Sequence, residues 1–323
     1  MKRKTYQLFL VLAVIAILTA ITVVGISIYR NYLADKSGEQ QAESGIVPPE
    51  PTSPTTQNDD STPVSELPEG STFEIHFFDV GEADSALVEC DGHYMLIDGG
   101  NPGTSSFLYS YLQSHGIDYL DYIVCSHAHA DHVGGLAGAL NYASVGTAYA
   151  PVTEYDSRAF NSFVKYLSQQ GKEITVPSAG DCFELGNAKV TILAPIDMTL
   201  AVLNENNSSI ILRIEYGSTS FLFTGDAEID EELSVVESQQ VLQSTLLKVG
   251  HHGSYTSTSE DFLKAVNPEY AIISVGSNNE YGHPHDIVLN RLSKYCQEIY
   301  RTDIVGEIIC SSDGEKLTFS FKP

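Results

Sequence analysis

The run Ser126-His-Ala-His-Ala-Asp-His132 sets three imidazoles and a carboxylate within six residues, separated only by alanines, after the apolar stretch Tyr122-Ile-Val-Cys. Such side chains are costly to bury without partners, so packing alone gives no reason to crowd them. Imidazole and carboxylate together suit Zn²⁺ best, and also Mn²⁺ or Fe²⁺, so one or two divalent metals are expected. His127 and His129, on alternate residues, can turn toward one cation, the first position. Asp131 and His132 can face a neighbouring one, the second. A further pair, His251-His252, follows the strand-like Leu246-Leu-Lys-Val, and adjacent residues leaving a strand point to opposite sides. One of them is expected to bind metal and the other to meet substrate or move a proton; the residues alone leave open which. Asp98 and Asp226 each end an apolar strand-like run, where an aspartate can serve a turn or a site. Asp98 is expected to support the histidine loop by hydrogen bonds from behind. His76, His93 and His115 lie outside every cluster and read as structural.

The elements that must hold these groups begin at Thr72. Short apolar, β-branched runs separated by turn residues read as strands, among them Phe73-Glu-Ile-His-Phe-Phe-Asp-Val, Tyr94-Met-Leu-Ile, Val190-Thr-Ile-Leu, Ile210-Ile-Leu-Arg-Ile, Phe221-Leu-Phe and Ala271-Ile-Ile-Ser-Val. Helices are expected at 105–115 before Gly116, at 158–170 before Gly171, and at 258–266, where Ser257 and Glu260 have capping-box spacing. Many strands with few helices predict two sheets with helices packed outside, an α/β (α+β) domain over 72–323.

The N-terminal residues are unlike the rest. Leu8 to Ile28 run 21 residues without a charged side chain, enough to cross ~30 Å of hydrocarbon as a helix. Residues 1–35 therefore read as a cytoplasmic tip and transmembrane anchor. Lys2, Arg3 and Lys4 place the N-terminus in the cytoplasm and the remainder outside the cell. Residues 36–71 carry six prolines among Ser, Thr, Glu, Gln and Asp and read as a disordered tether. Five cysteines without paired spacing read mostly as small buried apolar residues. A formal charge of −25 repels polyanions and disfavours nucleic acid as a partner unless metal or a local basic patch intervenes.

The segments Phe78-Asp-Val-Gly-Glu-Ala-Asp-Ser85, Leu96-Ile-Asp-Gly-Gly100, His127–His132, Phe223-Thr-Gly-Asp226, Leu247-Lys-Val-Gly-His-His-Gly-Ser254 and Tyr281-Gly-His-Pro-His285 resemble, in order and spacing, the ComEC/Rec2-like branch of the metallo-β-lactamase superfamily. The resemblance implies a four-layer αββα sandwich and a metal-dependent hydrolase acting on an anionic ester, such as DNA or a cell-envelope polymer. No obligate protein partner is implied. Carried over residue by residue, it makes His127, His129, Asp131, His132, Asp226 and His252 the metal ligands, with Asp226 bridging. Asp131, His251 and His285 are the implied catalytic groups, and Asn207, Ser254, His283 and His285 the implied substrate contacts. Asp79 and Asp98 would stand behind the ligands. One departure matters: no histidine lies between His132 and Asp226, where the wider superfamily has a further ligand to the first position. Asn204-Glu-Asn-Asn-Ser-Ser occupies that interval, and Asn207 there is open to meet a phosphate or simply to serve a turn.

Overall fold

The computed structural model describes residues 67–322. The expected membrane anchor at 1–35, and the expected tether up to residue 66, lie outside the described residues. No helix among the described residues is long and apolar enough to cross a membrane.

Among the described residues, fifteen strands form two sheets. The first contains β1 (Phe73–Phe77), β2 (Ala86–Cys90), β3 (His93–Ile97), β4 (Tyr119–Val124), β5 (Ser144–Tyr149), β6 (Ile174–Thr175), β14 (Glu307–Ser312) and β15 (Leu317–Lys322), in the order β15-β14-β1-β2-β3-β4-β5-β6. The second contains β7 (Cys182–Leu185), β8 (Ala188–Ala194), β9 (Ile211–Tyr216), β10 (Thr219–Phe223), β11 (Leu246–Lys248), β12 (Tyr270–Ile273) and β13 (Glu298–Arg301), in the order β13-β12-β11-β10-β9-β8-β7. Strands β3 to β6 are parallel to one another, as are β10 to β13. Each sheet therefore sends several carboxyl-terminal strand ends to one edge, where crevices in parallel sheets collect ligands.

The layers follow from three apolar clusters. Ile75, Phe77, Val88 and Met95 of the first sheet meet Val190, Leu212, Ile214 and Phe223 of the second in the central core. Phe73 spans the interface, stacking on Tyr216 at 4.9 Å and Phe221 at 4.8 Å between ring centroids. The outer face of the first sheet packs on helices α1 (Ser105–His115), α2 (Ala130–Val133), α3 (Leu136–Tyr142) and α4 (Arg158–Gln169), through Leu108, Leu112, Val133, Leu140, Phe160 and Phe163. The outer face of the second packs on the helices Ile229–Glu237, Glu260–Val266 and Asp286–Leu292, through Val235, Phe262, Leu263 and Val288. This is the expected αββα order.

Two expectations shift. Packing starts before Thr72: Leu67 lies against the central core, and the Ser71 hydroxyl accepts from Tyr216 and donates to Asp91. The helix expected from 258 begins at Glu260, because Ser259 is its N-cap, accepting from the Phe262 amide. Glu232 holds the Thr258 and Ser259 amides in front of it, and the Ser257 hydroxyl donates to Ala227 instead. Of the cysteines, Cys90, Cys125 and Cys310 are buried as expected, while Cys182 is exposed.

Candidate metal centre

The site collects at the edge where strands from both sheets end. Strand β4 delivers Ser126 through His132, β10 delivers Thr224-Gly-Asp226, and β11 delivers His251 and His252. Gly225 makes the middle approach possible: it sits at φ 51°, and a Cβ there would lie 2.8 Å from that of Ser126. Behind the histidine loop, a methyl on Gly135 would run into the Gly99 carbonyl, so the glycines after His132 let the chain close over the 98–100 turn.

Asp131, His132, Asp226 and His252 form one compact cluster. His132 Nε2 is 3.2 Å from Asp226 Oδ1 and 3.7 Å from Asp131 Oδ2; His252 Nε2 is 3.5 Å from Asp131 Oδ2 and 3.8 Å from Asp226 Oδ1. Three of these atoms, His132 Nε2, His252 Nε2 and Asp226 Oδ1, are buried without a hydrogen-bond partner, yet all aim at one spot. Unpartnered buried polar atoms are rare because each carries a desolvation cost, and a shared cation would satisfy all three. The donor set, two imidazoles and two carboxylates, is that of a divalent metal, and the residues fit one. On the other side of Asp226, His127 Nε2 stands 2.9 Å from His129 Nδ1 and 4.0 Å from Asp226 Oδ2.

The outer faces of the rings are held. His132 Nδ1 lies 3.0 Å from Asp98 Oδ2, and Asp98 Oδ1 accepts the Ser126 amide at 2.7 Å, so Asp98 stands behind the His132 ring. His252 Nδ1 donates to the Ser274 carbonyl at 3.0 Å, with Asp84 Oδ1 3.4 Å away. A carbonyl can only accept, so this bond fixes the tautomer that leaves Nε2 bare. Asp84 is itself paired at 2.7 Å with Lys248, both buried. His129 Nε2 meets Glu205 at 3.1 Å, and Glu205 accepts from the Tyr155 hydroxyl at 2.6 Å.

Burial works against charge on the His132 and His252 rings but is outweighed. The Asp226 and Asp98 carboxylates lift His132 well above its ordinary value, and Asp226, Asp84 and Asp131 lift His252 to about 10. Against the opposing effect of burial, the neighbouring His252 and His132 imidazoles hold Asp131 down to about 2. His127, buried and beside His132, is driven well below its ordinary value. The carboxylates that raise these imidazoles would equally favour a cation at the same place, and a metal there would need both rings deprotonated.

Asp131, Asp226 and His252 of the cluster line a cleft of about 450 Å³, with Glu82, Asn101, His129, Asn206, Tyr281 and His283 also among its walls. None of its lining residues is Lys or Arg. A wider groove of about 800 Å³ between α1 and α4 reaches none of the ligand candidates. His283 stands in the cleft wall, its Nδ1 2.7 Å from Glu82 Oε1. Other expected site residues are placed elsewhere. Asp79 is exposed, accepting only the Gly81 amide, and Asp84 five residues on takes the inner place. Asn207 is buried, its side-chain oxygen accepting the Glu228 amide, while neighbouring Asn206 lines the cleft. Ser254 is buried in a turn, bonded to Thr256. His285 precedes the helix Asp286–Leu292 at its N-cap, accepts from the Tyr255 amide and does not line the cleft. Asp84, Lys248, Glu205 and Glu228 were given no site role by the sequence, although the first three fall within segments it singles out.

Residues 78–277 match the family model described as the Metallo-beta-lactamase superfamily. ComE operon protein 3 of Bacillus subtilis is 31% identical over 268 residues, which cover 77% of this chain and 34% of that protein. Competence protein ComA of Neisseria gonorrhoeae is 31% identical over 236 residues, covering 72% of this chain and 31% of that protein. The chain thus spans about a third of the length of these curated relatives. Among solved structures, the metallo-beta-lactamase fold protein YhfI from Bacillus subtilis shares 13% identity and a TM-score of 0.49, covering 74% of this chain and 100% of that one. With its histidine run at the edge of a two-sheet sandwich, the chain belongs to the metallo-β-lactamase superfamily and groups with its competence-related, ComEC/Rec2-like branch.

Proposed function

We propose that this chain is a metal-dependent phosphodiesterase held at the outer face of a cell membrane by residues 8–28, acting on an anionic ester such as DNA or an envelope polymer. The observation that carries the hydrolytic reading is the convergence of His132 Nε2, His252 Nε2 and Asp226 Oδ1, all buried and unpartnered, with Asp226 and His252 lining an open cleft. A bound divalent cation supplies there an activated water near neutral pH and polarisation of the scissile oxygen. The protein residues orient that chemistry. Asp98 and the Ser274 carbonyl lock the ring planes of His132 and His252. His283, braced by Glu82, stands within the cleft where a leaving group needs a proton. With no lysine or arginine in the cleft wall, metal charge is what draws an anionic ester into an otherwise acidic protein. This favours a diester, with one negative charge per link, over a more highly charged monoester. The competence names of the relatives support DNA as one substrate, and the −25 charge supports a less densely anionic polymer.

The test is turnover by the full chain, loaded separately with Zn²⁺, Mn²⁺ and Fe²⁺, of bis-nitrophenyl phosphate, DNA, RNA, nitrophenyl-phosphocholine and a lactone. Diester cleavage is expected, with Asp131→Ala and Asp226→Ala each lowering kcat/KM by roughly a hundredfold or more. Lactone opening without cleavage of any phosphoester would overturn the substrate class, and full activity in both variants would overturn the site.

A further inference from the structure

The interval between His132 and Asp226 leaves His127 and His129 without a third imidazole from that stretch of chain. The fold supplies one from another direction. Asp226 presents its two oxygens to different neighbours: Oδ1 faces His132 and His252, whereas Oδ2 lies 4.0 Å from His127 Nε2 and 3.8 Å from His251 Nε2. Both nitrogens therefore face Oδ2, the oxygen turned away from the His132 and His252 contacts. The outer nitrogen of His251 is occupied as a ligand's would be, with Nδ1 3.4 Å from Glu228 Oε1 and 3.3 Å from Thr256 Oγ1. Glu228 is steadied in turn by the Asn206 side-chain amide and by Asn207, which accepts the Glu228 backbone N–H. The backbone is strained to achieve this. His251 and His252 are consecutive left-handed residues, at φ 50° and 53°, and the His251 amide is tied to the Gly225 carbonyl beside Asp226. His252 belongs to the compact cluster with Asp131 and His132; His251 does not.

From this arrangement we propose that His251 is the missing imidazole ligand of the first metal position, joining His127, His129 and Asp226 Oδ2, and that Glu228 holds it there. The two adjacent histidines then serve different cations, one on each side of Asp226. The proposal rests on the reading of the site as a metal centre, and it reassigns His251 from proton transfer to metal binding.

The experiment counts metal. The full chain is stripped, reloaded with Zn²⁺ or with Mn²⁺, dialysed and analysed for metal content, with circular dichroism and thermal melting to verify folding. The parent chain is expected to hold two equivalents, His251→Ala one, Asp131→Asn one, and the double variant none. Glu228→Gln, which keeps the shape of the side chain, should weaken one equivalent by roughly 10–100-fold and leave the other unchanged. The proposal is overturned if the parent chain saturates at one equivalent. It is equally overturned if the double variant still holds one, since His251 and Asp131 would then serve the same cation. Should His251→Ala fail to fold, Glu228→Gln decides: two unaltered affinities reject the assignment. Because turnover is not measured, an inactive chain with the expected metal counts would reject the phosphodiesterase reading alone.

Discussion

At the scale of single residues, the site works through carboxylates and carbonyls set behind imidazoles. Asp98 grips His132 Nδ1 at 3.0 Å and the Ser126 amide at 2.7 Å from a left-handed backbone position, φ 57°. Asp98→Asn would keep one acceptor and lose the charge that favours the His132 tautomer with Nε2 free. Affinity for the second cation is expected to fall roughly 10–100-fold in chelator competition, with the fold intact; unchanged affinity would reduce Asp98 to a loop staple. The sequence made His127 to His132 legible because local density of ligand types needs no fold to be noticed. Asp98 was legible because it ends an apolar run. The partners Asp84, Glu205 and Glu228 were not, since they arrive from three other loops that meet only on folding. Asp79 and Asp84 share one segment, and what selects Asp84 is the path of the loop: its amide donates to the Asp131 carbonyl, which turns that end inward.

At the scale of elements, helix starts depend on distant groups that local patterns do not reveal. Ser257, Ser259 and Glu260 allow two starts, and the Glu232 carboxylate taking the Thr258 and Ser259 amides selects the later one. Strands β13 and β15 escaped a reading by apolar runs because their residues are half-buried or exposed and several carry charge. The helix Ile229–Glu237, which follows Asp226, carries a second buried carboxylate. Glu231 accepts the Ile196 amide with one oxygen and leaves the other unpartnered, and burial raises it to about 7. Its folded value exceeds its unfolded one, so between about pH 4.5 and 7 the folded chain binds the extra proton. Its contribution to stability is therefore greatest at low pH and declines as pH rises through that window. Glu231→Gln keeps the bond to Ile196 and removes the charge. The Tm difference between variant and parent should be near zero at about pH 4 and grow to its maximum above pH 7, equivalent to roughly 3 kcal/mol at most. A difference independent of pH would refute this.

At the scale of the whole molecule, the candidate ligands come from both sheets: His127, His129, Asp131 and His132 follow β4 of the first, and Asp226, His251 and His252 follow β10 and β11 of the second. Binding is thus coupled to the docking of the two layers as well as to chemistry. Free metal at a hundredfold above its Kd should stabilise the chain by about 2.7 kcal/mol, read as a rise in Tm that a chelator reverses. A melting temperature indifferent to metal would separate the site from the fold. The central core that docks the layers is itself testable: Phe221→Ala, which removes the ring stacked on Phe73, should cost about 3–5 kcal/mol in denaturant unfolding. The two-sheet origin of the donors also ties the site to the whole fold: neither half of the chain gathers the set alone, so the complete donor set exists only once the sandwich has closed.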